Sequence, residues 1–177
     1  METVRMLTLT TENKSEFIDT LRAELFNKFG KDIPENYSDT HKWSLISLIE
    51  SDTIDSYQML YVNDKFWMAS GGMVREFNGE RVYQAGFRAF KSASNLPKGL
   101  YFPTFVHDNN TKFQIERAKQ QGCKHVIISF NDYNERLFKL TYQTILPKVF
   151  PKDTFVPSDT LIEFNGVPQW ILTMKLE

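Results

Sequence analysis

The stretch GCKHVIISFNDYNERLF, Gly122 to Phe138, reads as the end of one helix, a buried strand and the start of another helix. Gly122 stands where a helix C-terminus favours a residue that tolerates positive φ. His125 to Phe130 is a short run of β-forming residues, and Asn131 to Asn134 supplies turn and capping chemistry. In parallel or mixed sheets, ligands collect in the crevice outside the carboxyl ends of strands. The Asn131 end of this strand is therefore the first place to look for a site.

Downstream, Tyr133 to Ile145 is a helix with Leu137, Phe138, Leu140 (or Thr141) and Ile145 facing inward, and Pro147 ends it. Phe150 to Thr160 reads as a loop punctuated by Pro151 and Pro157. Thr160 to Phe164, the turn Asn165-Gly166 and Gln169 to Leu176 close the chain as a hairpin. Upstream lies a helix ending at Gln121. Either Pro103 occupies its first turn, or Asp108 to Thr111 cap a shorter helix containing Phe113, Ile115 and Ala118.

The middle of the chain is a hairpin series: Tyr57 to Val62, the turn Asn63-Asp64, Phe66 to Phe77, the turn Asn78-Gly79, and Arg81 to Lys91. Gly71-Gly72 interrupts the long strand, and no helix pattern follows it. A bulge or a close backbone contact explains it better than a phosphate loop. At the front, Thr3 to Thr10 alternates as a half-buried strand. Thr11 or Asn13 caps a helix from Lys14 to about Phe29, stopped by Gly30, and His41 to Glu50 is a second helix.

A chain of 177 residues without a linker is expected to form one domain, residues 1–177. The formal net charge of -1 gives no bulk reason to expect nucleic acid as a partner. No apolar run approaches a membrane span, and the N-terminal 17 residues have no apolar core of a secretory signal, so a cytoplasmic location is expected. The one cysteine, Cys123, excludes an intrachain disulfide and a multi-cysteine metal centre, and the three histidines show no ligand spacing, so no metal site is expected. Fifteen phenylalanines call for an aromatic-rich core or pocket.

The order strand, two helices, three antiparallel strands, helix, strand, helix and final strand pair is similar to that of the Gcn5-related N-acetyltransferase (GNAT) fold. The residues nearest that family's pattern follow Gly122: the apolar strand Val126 to Ile128, then Asn131, Asn134, Leu137 and Phe138. They resemble the family's N-x-x-A-x-x-L-Y entry into its fourth helix. The resemblance implies an α/β (α+β) class: a mixed, mostly antiparallel twisted sheet of about seven strands with helices on both faces. It also implies an acetyl-CoA-dependent N-acyltransferase acting on a small-molecule or peptide amine. The rival reading is a binding or assembly module of the same fold, a homodimer, without acetyl-CoA chemistry.

On that resemblance the fourth strand, through Phe87, Arg88, Ala89 and Phe90, offers backbone groups to the pantetheine arm and an amide to the thioester carbonyl. Arg88 could pair a phosphate or carboxylate, against its ordinary reading as a structural ion pair. The family's glycine-rich pyrophosphate loop is missing; Lys98 and Gly99, within Leu96 to Leu100, are its nearest counterpart, and Asp108 to Thr111 lie nearer the expected position. Asn131, Asn134 and Phe138 complete the implied cofactor contacts, with Asn131 also readable as a structural cap. Phe138 stands where family enzymes often carry a tyrosine that protonates the departing thiolate. Tyr142, one turn on, is the substitute, with Tyr133 the weaker choice. Glu76 and His107 are the candidates for the base that an amine acceptor needs.

Overall fold

A computed structural model of the chain describes residues 4–10, 12–21, 50–51, 55–85, 89–90, 102–164 and 166–177. Of the expected helix over 41–50 only Glu50 is described, and the first helix beyond Leu21 and the segment 91–101 lie outside the described residues. Among the described residues there are nine strands: β1 (Val4–Thr8), β2 (Asp55–Val62), β3 (Lys65–Phe77), β4 (Glu80–Ala85), β5 (Ala89–Phe90), β6 (His125–Asn131), β7 (Val156–Pro157), β8 (Ile162–Phe164) and β9 (Val167–Lys175). Helix α1 is Lys14–Leu21. Helix α2 spans 102–120, with a π turn at His107–Thr111 between two α-helical stretches. Helix α3 begins at Glu135–Leu140 and continues through a π turn, Thr141–Ile145.

The sheet is mixed and mostly antiparallel, as the sequence implied: β4 runs parallel to β6, and the other registered pairs are antiparallel. The nine described strands roughly match the expected count of about seven, and two points make up the difference. The Arg81 to Lys91 run is described as two strands, β4 and β5, and β7 lies in what reads as loop. Pro157 disguised β7, because a proline is tolerated in a strand only at an edge or an end. Val156 and Pro157 pair with Thr173 and Leu172 of β9.

Contacts divide the chain into two compact units, Met1–Gly71 with Phe87–Lys98, and Gly72–Gly86 with Gly99–Glu177. In the first, β1 pairs with β2, and β5 pairs with β3 at Ala69↔Ala89 and Met68↔Phe90. Asn13 stands just before α1, its carbonyl accepting from the Phe17 N–H at 2.9 Å, while its side chain turns back towards β1: Oδ1 accepts from the Thr10 N–H at 2.8 Å, and Nδ2 donates to the Thr8 carbonyl at 3.0 Å. Phe17 then meets Tyr57 edge-on, with centroids 5.3 Å apart, and both are buried, as are Leu60, Phe66 and Met68.

In the second unit, the Asn78-Gly79 tip adopts φ of 51° and 78°, the left-handed pair that a type I′ hairpin requires. Helix α2 takes the longer of its two starts, from Phe102. Asp108 to Thr111 are therefore helix interior and not a capping or anion-binding loop. At the other end, Gly122 has φ 70°, its N–H bonds to the Lys119 carbonyl, and the Cys123 N–H bonds to Ala118. This is a Schellman stop. It delivers the chain into β6, whose Val126, Ile127 and Ile128 are all buried, as expected of a strand covered on both faces.

Alternation along the strands sends Tyr83, Ala85, Val126 and Ile128 to the face covered by α2 and α3, where Ile115, Ala118 and Phe138 meet them. Val82, Ile127, Phe164 and Ile171 form a second layer on the other face. The inward set read for α3 needs correction: Phe138, Thr141 and Ile145 are buried, but Leu137 and Leu140 are 46% and 45% exposed. Phe138 sets the rotation of the helix by stacking on Trp170, centroids 5.4 Å apart, which turns both leucines outward.

Candidate functional site

The parallel pair β4–β6 carries the site. Its rungs run Val82↔His125, Tyr83↔Val126, Gln84↔Ile127 and Ala85↔Ile128. Ala85↔Ile128 is the last rung among the described residues, while β6 continues to Asn131 on β9 alone, through Ser129↔Ile171, Phe130↔Trp170 and Asn131↔Gln169. The two parallel strands thus point their carboxyl ends in one direction, past Ala85 and Ile128, and ligands enter α/β sheets outside such ends.

On the helix side, this end is built from aromatic rings. Phe138 is 2% exposed and touches Phe130, Tyr142 and Trp170, with centroids 5.7, 5.0 and 5.4 Å away. Tyr142 is half-buried, and its hydroxyl accepts a hydrogen bond from Gln143 Nε2 at 3.2 Å. The four-residue spacing placed it on the face of Phe138, and the ring contact agrees. Trp170 Nε1 donates to the Asp132 carbonyl at 3.2 Å, tying β9 to the start of α3.

Asn131 caps nothing with its side chain; its Nδ2 donates to the Tyr133 hydroxyl at 2.8 Å, and Asp132 Oδ1 takes the Tyr133 N–H instead. Asn134, half-buried at the entry to α3, likewise makes no side-chain cap bond. Ala89 and Phe90 are backbone partners of β3 in the first unit. Phe87, Arg88, Lys98 and Gly99 lie outside the described residues.

The candidate bases lie apart from this end. Glu76 is exposed and stands opposite Arg81, one residue before the amino-terminal rung Val82↔His125. At about 3.3 Å per residue, that is the far end of the ladder from Ala85. His107 is buried in the π turn of α2, its Nδ1 2.9 Å from Thr111 Oγ1. His125 Nδ1 lies 3.0 Å from Glu80 Oε2.

Two features were missed in the sequence. Gln84 and Ser129, on the face opposite α3, are joined by a hydrogen bond from Gln84 Nε2 to Ser129 Oγ at 3.0 Å. Strand alternation gives the face of Gln84, but only the register of β4 on β6 brings Ser129 to it. An open groove of about 480 Å³ also lies on α3, lined by Glu135, Arg136, Lys139, Leu140, Gln143 and Thr144. No cluster of three or more His, Cys, Asp or Glu able to hold a metal occurs among the described residues, and no described helix is long and apolar enough to cross a membrane.

The fold is that of the N-acetyltransferases of the Gcn5-related type. No family model and no curated protein sequence matches the chain. Solved structures do. The chain resembles FeeM, an N-acyl amino acid synthase from uncultured soil microbes, at TM-score 0.57 and 10% identity, covering 99% of this chain and 91% of that one. It resembles aminoglycoside acetyltransferase AAC(6')-Ib in complex with coenzyme A and kanamycin at TM-score 0.54 and 11% identity, covering 98% and 95%. It resembles the PaiA N-acetyltransferase from Thermoplasma acidophilum in complex with coenzyme A at TM-score 0.51 and 12% identity, covering 98% and 99%.

Proposed function

We propose that the protein is an N-acyltransferase that moves an acetyl or other acyl group from coenzyme A to an amine by direct attack in a ternary complex. The observation that carries this reading is the parallel β4–β6 pair, with its last described rung at Ala85↔Ile128, in a fold shared along nearly its whole length with acyltransferases. A thioester at that end lies beside the described backbone of Ser129 to Asn131. In the second unit Asn131, Asn134 and Phe138 are our candidates for cofactor contacts, and the sequence resemblance alone offers Phe87 to Phe90, Lys98 and Gly99 for the pantetheine and pyrophosphate.

In the reaction the amine nitrogen bonds to the thioester carbon, the C–S bond breaks, the nitrogen gives up one proton and the departing sulfur gains one. Tyr142, whose ring meets that of Phe138, is our candidate to supply that proton. Glu76, from the other end of the ladder, would have to act through water. The buried thiol of Cys123 fits a reducing compartment such as the cytoplasm.

One observation favours the rival reading, a binding module without acyl transfer. Phe138 offers no hydroxyl, and its ring is committed to Trp170. A thermal shift with acetyl-CoA separates the two. Binding to the native state alone at a hundredfold excess over Kd adds about 2.7 kcal/mol, several degrees in Tm. An unchanged Tm at millimolar acetyl-CoA would leave the binding-module reading standing.

A further inference from the structure

Resting on the acyl-transfer reading, we propose that Thr141 is a positioning residue: its hydroxyl braces the start of the π turn in α3 and so keeps Tyr142 aimed as the proton donor. Thr141 is 3% exposed and stands where the α-helical part of α3 gives way to the π turn Thr141–Ile145. Its backbone N–H reaches the carbonyls of Leu137 and Phe138, and its Oγ1 donates to the Leu137 carbonyl at 2.7 Å. One carbonyl thus takes two bonds from one residue. A threonine hydroxyl bonded to the carbonyl four positions back often bends a helix, and here it does so immediately before Tyr142.

The wider turn also decides how the rings meet. Hydrogen bonds spanning five residues put more residues into each revolution than the 3.6 of an α-helix, so positions four apart come nearer to standing one above the other. Phe138 and Tyr142 are four apart, and their ring centroids lie 5.0 Å from each other. Phe138 is itself fixed by stacking on Trp170. The Tyr142 ring is therefore set by the turn that carries it and by the ring beside it. Its oxygen accepts from Gln143 Nε2, which leaves the phenol's own hydrogen with no acceptor among the described residues.

That hydrogen passes to the departing sulfur as the C–S bond breaks. The amine's surplus proton goes to water, and the half-buried phenolate regains one from water. Thr141 is no donor in this step, because its hydroxyl hydrogen is committed to Leu137. It acts through the direction of one ring, and small misplacements of a reacting group are costly in rate. A threonine buried in any helix can make the same bond with no chemistry attached. What separates the two roles is whether Thr141 still matters once Tyr142 has no proton to give.

The test is a double-mutant cycle of Thr141→Val and Tyr142→Phe in the full chain. Thiol release from acetyl-CoA is measured with kanamycin, free amino acids and a peptide with a free N-terminus as acceptors. Thr141→Val is expected to lower kcat about tenfold, short of the roughly hundredfold that a 1 Å misplacement can cost. Kd for acetyl-CoA should stay within about twofold of wild type, so that the loss lies in kcat alone. Tm should fall by about 2–4 °C, the scale of one hydrogen bond in a chain of this size. Thr141→Ser, which keeps the hydroxyl, should hold kcat within about twofold of wild type. In the Tyr142→Phe background Thr141→Val should cost nothing further, because both changes strike the same proton transfer. Should Thr141→Val not fold, Thr141→Ala takes its place in the cycle with the same expectations for kcat and Kd. An equal loss in both backgrounds, or no loss in either, overturns the positioning role and leaves acyl transfer standing. Wild-type kcat in Tyr142→Phe overturns it as well, by removing the donor that Thr141 aims. Wild-type protein that releases no thiol with any of these acceptors overturns acyl transfer and the positioning role together.

Discussion

Gly72 of β3 lies beneath the ring of Tyr83 of β4, so close that a Cβ on Gly72 would stand 2.3 Å from Tyr83 Cε1. Tyr83 is fully buried and cannot swing aside without emptying the core under α2. Gly72→Ala is therefore an overpacking change, expected to lower stability by about 1–3 kcal/mol. Urea denaturation measures it; a loss below 0.5 kcal/mol, on the scale of an ordinary surface substitution at roughly that value, would mean the ring moves freely.

Gly122 offers a contrast of cause. Nothing stands within 4 Å of a Cβ placed there, but its φ is 70°. Gly122→Ala meets no neighbour and only the left-handed backbone, a cost of about 1–2 kcal/mol. Gly122→Asn, whose side chain tolerates that region, should recover part of it. Paired thermal melts of the two variants test the ordering Gly, Asn, Ala.

These glycines show how far the sequence could be read. Gly122, Asn78-Gly79 and Asn63-Asp64 announce turns because positive φ is a local demand with few residue solutions, and the structure has positive φ at all five. The close contact at Gly72 was legible as a kind, though Tyr83 as its partner was not. What escaped is non-local. The exposure of Leu137 and Leu140 depends on Phe138 finding Trp170, and the meeting of Gln84 with Ser129, 45 positions apart in the chain, depends on the register of two strands. Nor does local pattern betray π turns, since His107–Thr111 and Thr141–Ile145 keep helical composition throughout.

Tyr57 supplies a stability prediction that involves pH. Its hydroxyl is buried and has no hydrogen-bond partner among the described residues, and burial pushes the phenol well above its ordinary value. Tyr57→Phe removes an unpaired polar atom and keeps the edge contact with Phe17, so it should be neutral or stabilising by up to about 1 kcal/mol. The folded state holds the phenol proton more tightly than the unfolded chain does. The associated stability is present below the unfolded value, about 10, and drains away as pH rises past it. Wild type should lose stability between about pH 10 and 12 faster than Tyr57→Phe does. Parallel urea curves in that range, unchanged in their difference, would contradict this.

Tyr142 is the sharpest test of how this site handles the departing thiolate. Its ring packs on Phe138, and its hydroxyl bonds only to the neighbouring Gln143 among the contacts described, so Tyr142→Phe preserves packing and forfeits one exposed hydrogen bond. Stability should change by less than about 0.5 kcal/mol. If Tyr142 protonates the leaving sulfur, kcat should fall about a hundredfold, the lower end for a general acid, with Kd for acetyl-CoA unchanged. The acyl donor distinguishes this from a packing effect. An acyl thioester of a more acidic thiol needs less help to leave, so it should recover most of the lost rate in Tyr142→Phe and gain little in wild type. Equal gains in both proteins would remove Tyr142 from the proton path and turn attention to Tyr133, which also lies at this end of β6 and is 68% exposed.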